Sequence, residues 1–398
     1  MRRKTTRLAT RLGRGALFLS ALSALLAPSA HASGYRLDAL DPVLPGRSSY
    51  GMVISASGLV LGETYVQQGC PLSRWVNCLL DGLQVQQLRS VWWQQPTSGT
   101  SSTRAMQAAP LACLDQSTAD TVNGDKPCEA LAVNAQGRAV GRSYVPKGRT
   151  GVEAHPVVWP QVGGPPMDLS PFLQSLPAHG TGSAVGINDQ GWILGRADQG
   201  NGTEFAFLLR DGLVTTLPAM GASSVKAKVI SATMAAGDGL FDKGSPTAAL
   251  IWTLGGPTTV LRTVDGSDND IHAEAVSSAG HVAGFYWAPA SRQGNRAFVW
   301  FQGRAQGLPT DPGFSSLAHG VNAAGQVVGS HCRTDQDIHG CRAVVWTNGV
   351  RLDLNAMAQA PAGFQLVQAR AINDQGQITG WMVNGAHAYK GFVLTPRP

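Results

Sequence analysis

One short pattern recurs along the chain and constrains the fold more than any other feature. It is clearest at residues 183–217, where four apolar runs (SAVGI, WILG, EFAFLL and LVTTL) are separated by turn residues. Glycine and asparagine supply the positive φ angles that hairpin turns need, and Val, Ile, Leu and Phe fill the runs between them. The pattern therefore predicts a unit of four short antiparallel strands.

The pattern occurs seven times, with Asn or Ser at an anchor position that follows the first run. Six copies have glycine three and seven residues after the anchor, whereas the copy at Ser231 lacks this spacing, so we expect its first hairpin to be irregular. After a first interval of 79 residues the anchors lie 43–54 residues apart, and they are Ser55, Asn134, Asn188, Ser231, Ser277, Asn322 and Asn373. This period, with four strands per copy, is typical of a β-propeller blade.

The seventh copy holds only three runs, of which the last is GFVL at 391–394. A match to the fourth run of the sixth copy, VRLDL at 350–354, occurs at the other end of the chain as YRLDAL, Tyr35–Leu40. We therefore predict an all-β fold, a seven-bladed β-propeller of four-stranded blades in a single domain over residues 33–398. The N-terminal strand would complete the last blade and pair backbone groups that an open row leaves at its edges. A linear β-solenoid would need caps and gains nothing from this match.

Blade 1 carries the largest insertions. Its third run could be NCLLDG at 77–82 or SVWW at 90–93, and we favour SVWW because it matches PVVW at 156–159 in the next copy. Residues 94–128 are then expected to form a long surface loop. Helix is confined to two short candidates, 170–176 and 354–359.

Residues 1–32 have the features of a secretory signal: six basic residues, an apolar run at 16–27 and a cleavage motif at Ala30–Ala32. We expect a secreted or periplasmic protein cut after Ala32. The net charge of +6 falls to zero without this segment, so the basic character gives no reason to expect nucleic acid as a partner. No other segment is long and apolar enough to predict a membrane span.

All six cysteines lie outside the signal and form three local pairs, which in an exported chain predict disulfides Cys70–Cys78, Cys113–Cys128 and Cys332–Cys341. Two further interpretations are weighed against this one. His331, Cys332, His339 and Cys341 could ligate zinc, although neighbours on an extended chain point to opposite sides. The segment 265–270 is rich in oxygen ligands but lacks a full calcium loop. We expect neither a metal nor a cofactor.

The segments AVGINDQGWILG, HGVNAAGQVVG and ARAINDQGQITG, with their AF-x-W-like third runs, resemble the bacterial HAF-type extracellular repeat family. The likeness covers nearly the whole mature chain, although three copies have Ser in place of the anchor Asn. The resemblance implies an exported protein without an assigned activity. Many relatives carry a C-terminal sorting helix or an outer-membrane barrel, and since neither follows here we expect a soluble protein.

Most repeated residues have structural explanations. The anchor and glycine positions are explained by turn geometry, and Trp159, Trp252, Trp300 and Trp346, one per blade, by packing between blades. The motifs of serine hydrolases, zinc proteases and P-loop proteins are absent, and no pair of acidic residues stands out as a glycosidase acid and base. An enzyme is therefore the less favoured interpretation, although carboxylates could still converge from different blades.

In a propeller the loops between second and third strands lie on one face, together with the links between blades. Aromatic and charged residues begin these loops, which suits recognition of a glycan or peptide. We predict a monomeric binding module for an unknown glycan or protein, with a lyase or hydrolase acting on a glycan or cell-wall component as the alternative. The candidate ligand-binding residues are Tyr65, Tyr144, Arg196, Tyr286, Trp287, His331 and Trp381.

Overall fold

A computed structural model describes residues 34–69, 84–94, 106–115, 127–148, 151–176, 181–264, 266, 270–288 and 294–397. Seven four-stranded antiparallel sheets form a ring, so the chain is a seven-bladed β-propeller, as the repeat predicts. The predicted signal at 1–32 and the pair Cys70–Cys78 lie outside the described residues.

Blades are numbered by their first strands along the chain. Blade 1 contains β2 (Ser49–Ile54), β3 (Val60–Gly69), β4 (Gln84–Trp93) and β5 (Ala108–Pro110). Blade 2 contains β6 (Cys128–Val133), β7 (Ala139–Lys147), β8 (Gly151–Trp159) and β9 (Met167–Asp168). Blade 3 contains β10 (Gly182–Ile187), β11 (Ile193–Asp198), β12 (Glu204–Arg210) and β13 (Leu213–Thr216). Blade 4 contains β14 (Ser224–Ile230), β15 (Met234–Leu240), β16 (Ala248–Thr253) and β17 (Thr258–Leu261).

The remaining blades follow the same order. Blade 5 contains β18 (Ile271–Val276), β19 (Val282–Trp287), β20 (Asn295–Phe301) and β21 (Arg304–Gly307). Blade 6 contains β22 (Phe314–Val321), β23 (Val327–Arg333), β24 (Cys341–Thr347) and β25 (Val350–Asp353). Blade 7 contains β26 (Phe364–Ile372), β27 (Ile378–Asn384) and β28 (Tyr389–Pro396), and its fourth strand is β1 (Tyr35–Leu40).

The ring closes in blade 7, as predicted. Strand β1 pairs with β28 in antiparallel register, from Tyr35 opposite Pro396 to Leu40 opposite Gly391. Both edges of β28 are thus paired, and the two ends of the chain belong to one sheet. The first strands of neighbouring blades contact each other around the whole ring and surround a central channel. We call the face with the second-to-third loops and the links between blades the upper face, and the face with the anchor turns the lower face.

The anchor turns tie neighbouring blades together on the lower face. Asn188 accepts a hydrogen bond from the backbone N–H of Trp192 and donates through Nδ2 to the carbonyl of Ser231 in the next blade, at 2.9 and 3.1 Å. Asn373 does the same across the closure, donating to the carbonyl of Ser55 at 3.0 Å. The anchor asparagines therefore do more than shape turns. Glycine three residues later adopts the expected positive φ, 81° at Gly191.

The second repeated glycine, seven residues after the anchor, is required for a reason other than turn geometry, and the sequence analysis did not identify that reason. Each first strand contains a β-bulge immediately beside the second strand, and the bulge presses a carbonyl against this glycine. A Cβ at Gly62, Gly141 or Gly329 would collide with the carbonyl oxygen of the paired first strand. In blade 4 Gly237 takes this role, because the turn after Ser231 is shorter and Ser231 N–H bonds directly to the Met234 carbonyl at 2.7 Å. The expected irregularity is thus confined to the turn, and the β14–β15 ladder keeps the common pattern.

Tryptophans pack between blades, as predicted. The indole N–H of Trp252 donates to the carbonyl of Pro218 at 2.9 Å, and that of Trp346 donates to Pro309 at 3.0 Å; both carbonyls lie in the link from the preceding blade. Trp159 bonds Ala112 in the same way at 2.7 Å. Each buried indole therefore fixes the angle between its blade and the one before it.

Blade 1 corrects one expectation. SVWW lies in the third strand, as favoured, but residues 94–128 do not form a surface loop throughout. Ala108–Pro110 is the fourth strand of the blade, and Met106, Leu111 and Cys113 are buried beside it. A three-residue edge strand is too short to show alternation in the sequence. Both helix candidates are confirmed as single turns, a 3₁₀ turn at Ser170–Ser175 and an α-turn at Leu354–Met357.

Two of the three predicted disulfides lie in the described residues and both form, Cys113–Cys128 and Cys332–Cys341. The first joins the link after blade 1 to the start of blade 2, and the second joins β23 to β24 below their connecting loop. Two disulfides suit a protein that meets an oxidising compartment, as exported proteins do. In the described part of the chain, no helix has the length and apolar character needed to cross a bilayer.

Candidate functional site

The central channel is lined by one bulged residue from each of the seven first strands. A bulge adds an unpaired residue to one strand and turns its side chain away from the ladder. Here it falls three residues before every anchor, and the seven side chains line a cavity of about 520 Å³. These channel residues are Met52, Leu131, Val185, Lys228, Glu274, His319 and Arg370.

The channel residues divide the cavity into two halves. Blades 1 to 3 contribute Met52, Leu131 and Val185, which we call the apolar half. Blades 4 to 7 contribute Lys228, Glu274, His319 and Arg370, the charged half. Because the blades are consecutive, each half is a continuous wall. A ligand in the cavity would meet mainly apolar atoms on one side, with Arg196 of blade 3 as the exception, and hydrogen-bonding groups on the other.

Lys228 is the centre of an ion-pair network in the charged half. Its Nζ lies 2.7 Å from Oδ2 of Asp238 and 2.6 Å from Oε1 of Glu274. Asp238 is buried and also accepts from His272 Nδ1 at 2.8 Å and from the backbone N–H of Ala273 at 3.1 Å. Burial lowers the pKa of Lys228, but the two carboxylates outweigh it and hold this pKa above its ordinary value. The ammonium is therefore charged and satisfied.

His319 is held as a neutral imidazole in the charged half. Arg370 Nη1 lies 2.9 Å from its Nδ1, and Gln368 Nε2 lies 2.8 Å from its Nε2. Arginine can only donate, so Nδ1 is an acceptor and carries no proton. Burial, and then the charge of Arg370, keep the pKa of His319 well below its ordinary value. The ring proton is therefore on Nε2, so the Gln368 amide must turn its oxygen toward Nε2 to accept it, and both ring nitrogens are then engaged within the channel wall.

An aromatic cluster lies between blades 7 and 1. Tyr50 lies on the first strand of blade 1, two residues before Met52, with its ring centroid 5.7 Å from that of Trp381 and 5.6 Å from that of Tyr389. Burial raises the pKa of Tyr50, and the charge of the nearby Tyr65 raises it further. All four rings are half-buried and so keep accessible edges. The structure therefore brings together two predicted residues, Tyr65 and Trp381, with two that the sequence analysis did not select.

Arg196 and Tyr144 lie on the second strands of blades 3 and 2. Arg196 lines the channel and also a shallower cavity of about 460 Å³ that is shared with Arg142 of blade 2. Its Nε lies 3.5 Å from Oε1 of Glu204. The Arg142 guanidinium lies over the ring of Tyr144, 5.6 Å from its centroid. Arg196 thus contributes to the channel, while Tyr144 belongs to the neighbouring surface.

The adjacent residues Tyr286 and Trp287 have opposite environments. Trp287 is 47% exposed at the upper end of β19, as expected for a rim residue. Tyr286 is 6% exposed and packs against Phe298 in the core of blade 5. Successive residues on a strand face opposite sides, so only one of the two could reach the surface, and Tyr286 is not a rim residue.

His331 lies in a separate cavity of about 340 Å³ on blade 6. Its ring stacks on Phe314, with centroids 4.3 Å apart, and its Nε2 accepts from Arg351 at 2.8 Å. Arg351 also bonds Oδ2 of Asp311 at 2.7 Å. Burial, and then the charge of Arg351, lower the pKa of His331 to about 4. The neighbouring Cys332 is in a disulfide, so the zinc set His331, Cys332, His339 and Cys341 is excluded.

The sequence analysis did not identify the charged half because no sequence motif contains its four residues. Its members are 45–51 residues apart and meet only when the ring closes. A signal was nevertheless present: the position four before each anchor is always Ala or Gly, the position one before is always Val or Ile, and the position between them at minus three varies from apolar to charged. A variable position within a fixed frame marks a surface that the fold itself does not constrain.

No protein-family model and no curated relative matches the chain, so the likeness to HAF-type repeats depends on the repeat residues alone. Solved propellers do match. The β-propeller domain of the Trilobed protease from Pyrococcus furiosus, which has an open velcro topology, aligns with 87% of this chain and 95% of its own, at 6% identity and a TM-score of 0.53. Trypanosoma rangeli sialidase aligns with 90% of this chain and 55% of its own, at 10% identity and a TM-score of 0.41. TolB from Acinetobacter baumannii aligns with 90% and 66%, at 10% identity and 0.38. At 6% identity the likeness to the protease domain shows the propeller fold alone.

Proposed function

We propose that the protein is a non-catalytic glycan-binding module whose ligand enters the central channel from the upper face. The observation that carries this proposal is that the aromatic cluster of Tyr50, Trp381 and Tyr389, with Tyr65 nearby, lies beside the blade 7 part of the charged half. Trp381 is the cross-strand partner of Gln368, and the Gln368 side chain contacts His319. A sugar ring has apolar C–H faces and an edge of hydroxyl groups. Aromatic rings cover such faces, and charged side chains form strong hydrogen bonds with hydroxyl groups.

The size and polarity of the cavity support a sugar. About 520 Å³ is within the range of small-molecule sites, and the apolar half next to Tyr50 continues the surface that a sugar face would contact. Export, which the signal and disulfides favour, would place the module where surface polysaccharides occur. A peptide ligand is the competing occupant and is an outcome of the test below.

Catalysis on the same scaffold is less well supported. A general acid or base needs a titratable atom that is free to exchange a proton with substrate. In the channel, Asp238 and Glu274 both bind the Lys228 ammonium, and both nitrogens of His319 have partners. These four groups are already engaged with one another or with Gln368 and Arg370, which suits binding better than proton exchange with a substrate.

The test is a glycan microarray probed with the mature protein and three variants. Trp381→Ala should weaken binding about tenfold, since one aromatic contact contributes about 0.5–1.5 kcal/mol beyond its buried area. Trp381→Phe should retain most of the binding if the ring is the essential feature. Trp287→Ala, an exposed aromatic residue on blade 5, is the matched control and should bind as the wild type does.

Three results would overturn the proposal. Glycan binding that is lost in Trp287→Ala but kept in Trp381→Ala would place the site elsewhere. Binding to a parallel peptide array, with no glycan bound, would establish a protein ligand. Release of reducing ends from a bound glycan would show that the alternative, an enzyme, is correct.

A further inference from the structure

Two second-to-third loops on the upper face bring together three potential metal ligands. Asp337 and His339 lie in the loop between β23 and β24 of blade 6, and His387 lies in the equivalent loop of blade 7. The Nε2 of His339 is 3.2 Å from Nδ1 and 3.4 Å from Nε2 of His387. One donor atom from each of the three side chains lies within 4.8 Å of the others. None of the three residues lines the His331 cavity, although Gln336 and Gly340 of the same blade 6 loop do. The three residues are also not members of the proposed glycan site.

We propose that Asp337, His339 and His387 form a site for a divalent transition metal, best suited to Zn²⁺, that joins the loops of blades 6 and 7. Two imidazoles and a carboxylate are a usual ligand set for zinc with one position open. Two nitrogens bound to one tetrahedral zinc at 2.0–2.1 Å lie about 3.3 Å apart. The 3.2 Å separation of His339 Nε2 and His387 Nδ1 therefore needs little adjustment to accept the ion.

The loop of blade 6 is fixed around His339. Its carbonyl accepts from Arg342 Nη1 at 3.0 Å and from Gln365 Nε2 of blade 7 at 3.2 Å. The disulfide Cys332–Cys341 joins the two strands at the base of the loop. Asp337 accepts from the backbone N–H of His339 through Oδ1 at 3.0 Å, which leaves lone pairs on its carboxylate for an ion. These contacts fix the loop that carries Asp337 and His339 without a bound metal.

The loop of blade 7 presents His387 toward them. Asn384 Oδ1 accepts from the backbone N–H groups of Ala386 and Ala388, at 3.0 and 2.9 Å, and the His387 N–H donates to the Asn384 carbonyl at 3.0 Å. Asp337 and His387 are exposed and His339 is half-buried, so an ion would keep an open position toward solvent. That position could accept water or a donor from a bound molecule.

The test is isothermal titration calorimetry of the metal-free mature protein with ZnCl₂, and MgCl₂ serves as the negative control. We expect one Zn²⁺ per chain and no Mg²⁺ binding, since Mg²⁺ prefers oxygen ligands in an octahedral shell. His339→Ala, His387→Ala and Asp337→Asn should each weaken Zn²⁺ binding at least about tenfold. All three residues lie in loops, so circular dichroism should confirm that the variants fold. His281→Gln on the lower face is the control and should bind Zn²⁺ as the wild type does.

A second readout separates this site from adventitious binding. Co²⁺ in place of Zn²⁺ should give the intense visible absorption of a tetrahedral or five-coordinate ion, and His387→Ala should abolish it. Zinc binding should weaken in acid, because protons compete with the metal for the imidazole nitrogens. A wild-type protein that binds no stoichiometric Zn²⁺, or variants that bind it as tightly as the wild type, would overturn the proposal.

Discussion

The two halves of the channel have the same backbone and opposite chemistry. In blades 1 to 3 the bulged residues are Met52, Leu131 and Val185, which need only apolar neighbours. In blades 4 to 7 the same position holds four ionisable side chains, each paired with another polar group. The flanking positions do not differ, because Ala or Gly and Val or Ile recur there in every blade. The fold is therefore specified by these flanking positions, and the bulged position can hold either an apolar or an ionisable residue.

The stability lost when a channel residue is substituted should also differ between the two halves, because one half contains apolar side chains and the other contains paired charges. An apolar side chain that is replaced by another of similar size loses little. A paired buried charge that loses its partner leaves the other group unsatisfied, which is much more costly than the net contribution of the pair. Substitutions at matched positions should therefore separate the two halves clearly.

The largest effect is expected for Lys228→Met. It removes the ammonium between Asp238 and Glu274 and leaves Asp238, which is 4% exposed, with His272 as its remaining side-chain partner. We expect a loss of about 3 kcal/mol in the free energy of unfolding, measured by urea denaturation at pH 7. Val185→Leu, the equivalent position in the apolar half, should lose less than about 1.5 kcal/mol.

A rescue experiment tests the cause of this loss. Combining Lys228→Met with Asp238→Asn and Glu274→Gln removes the unpaired charges, so at least half of the lost stability should return. If the triple variant is as unstable as Lys228→Met, lost packing rather than unpaired charge explains the effect.

The second effect concerns pH. The folded-state pKa values of His319 and His331 lie below their unfolded value, so the unfolded chain binds these protons first. Stability is therefore fully present above about pH 6.5 and falls as the pH drops below it, by up to about 1.4 kcal/mol per pH unit for each histidine. His319→Gln should reduce the slope between pH 6.5 and 5 by about a third, because His331 and His281, whose pKa values burial also lowers, still contribute. Leu131→Gln in the apolar half should leave the slope unchanged. An equal slope in both variants would mean that His319 titrates normally in the folded chain.

Much of the fold was predictable because its determinants are local. Asn188, Gly191 and the apolar runs around them define one hairpin, and seven such hairpins with a matching strand at Tyr35–Leu40 imply a closed ring. The glycine at 141 also indicated the bulge, since a Cβ there would collide with the Glu129 carbonyl of the bulged first strand. That cause was not recognised, so the direction of the bulged residue could not be derived.

The candidate site was less predictable because it depends on contacts between blades. His339 and His387 meet across two blades, and Tyr50 meets Trp381 across the ring closure. Nothing in the sequence around either residue indicates its partner. Tyr286 and Trp287 are difficult for a different reason. They are adjacent on one strand, and a one-residue change of register decides which of them is buried. Burial of this kind follows from pairing, which the sequence specifies only weakly in a short strand.

The third effect is electrostatic and smaller. Arg370→Met removes the cation beside His319 Nδ1, so the pKa of His319 should rise toward its ordinary value while burial still holds it below. Titration of the imidazole resonances by NMR measures this shift directly. The pKa of His281, which burial lowers in the anchor turn of blade 5 on the lower face, should not change. A shift in both histidines would indicate a general loosening of the ring rather than a local charge effect.

The smallest effect tests whether the apolar half accepts a charge. Met52 in blade 1 and Arg370 in blade 7 line the same cavity from neighbouring blades, so Met52→Glu should be attracted to the guanidinium and Met52→Lys repelled. Each variant should lose less than about 1 kcal/mol, because a half-buried long side chain can keep its charge in water. Met52→Glu should be the more stable by about 0.5 kcal/mol at low salt. The difference should vanish in the Arg370→Met background, which a double-mutant cycle measures. A difference that persists there would show that the two residues do not interact, and that each bulge is independent of its neighbour.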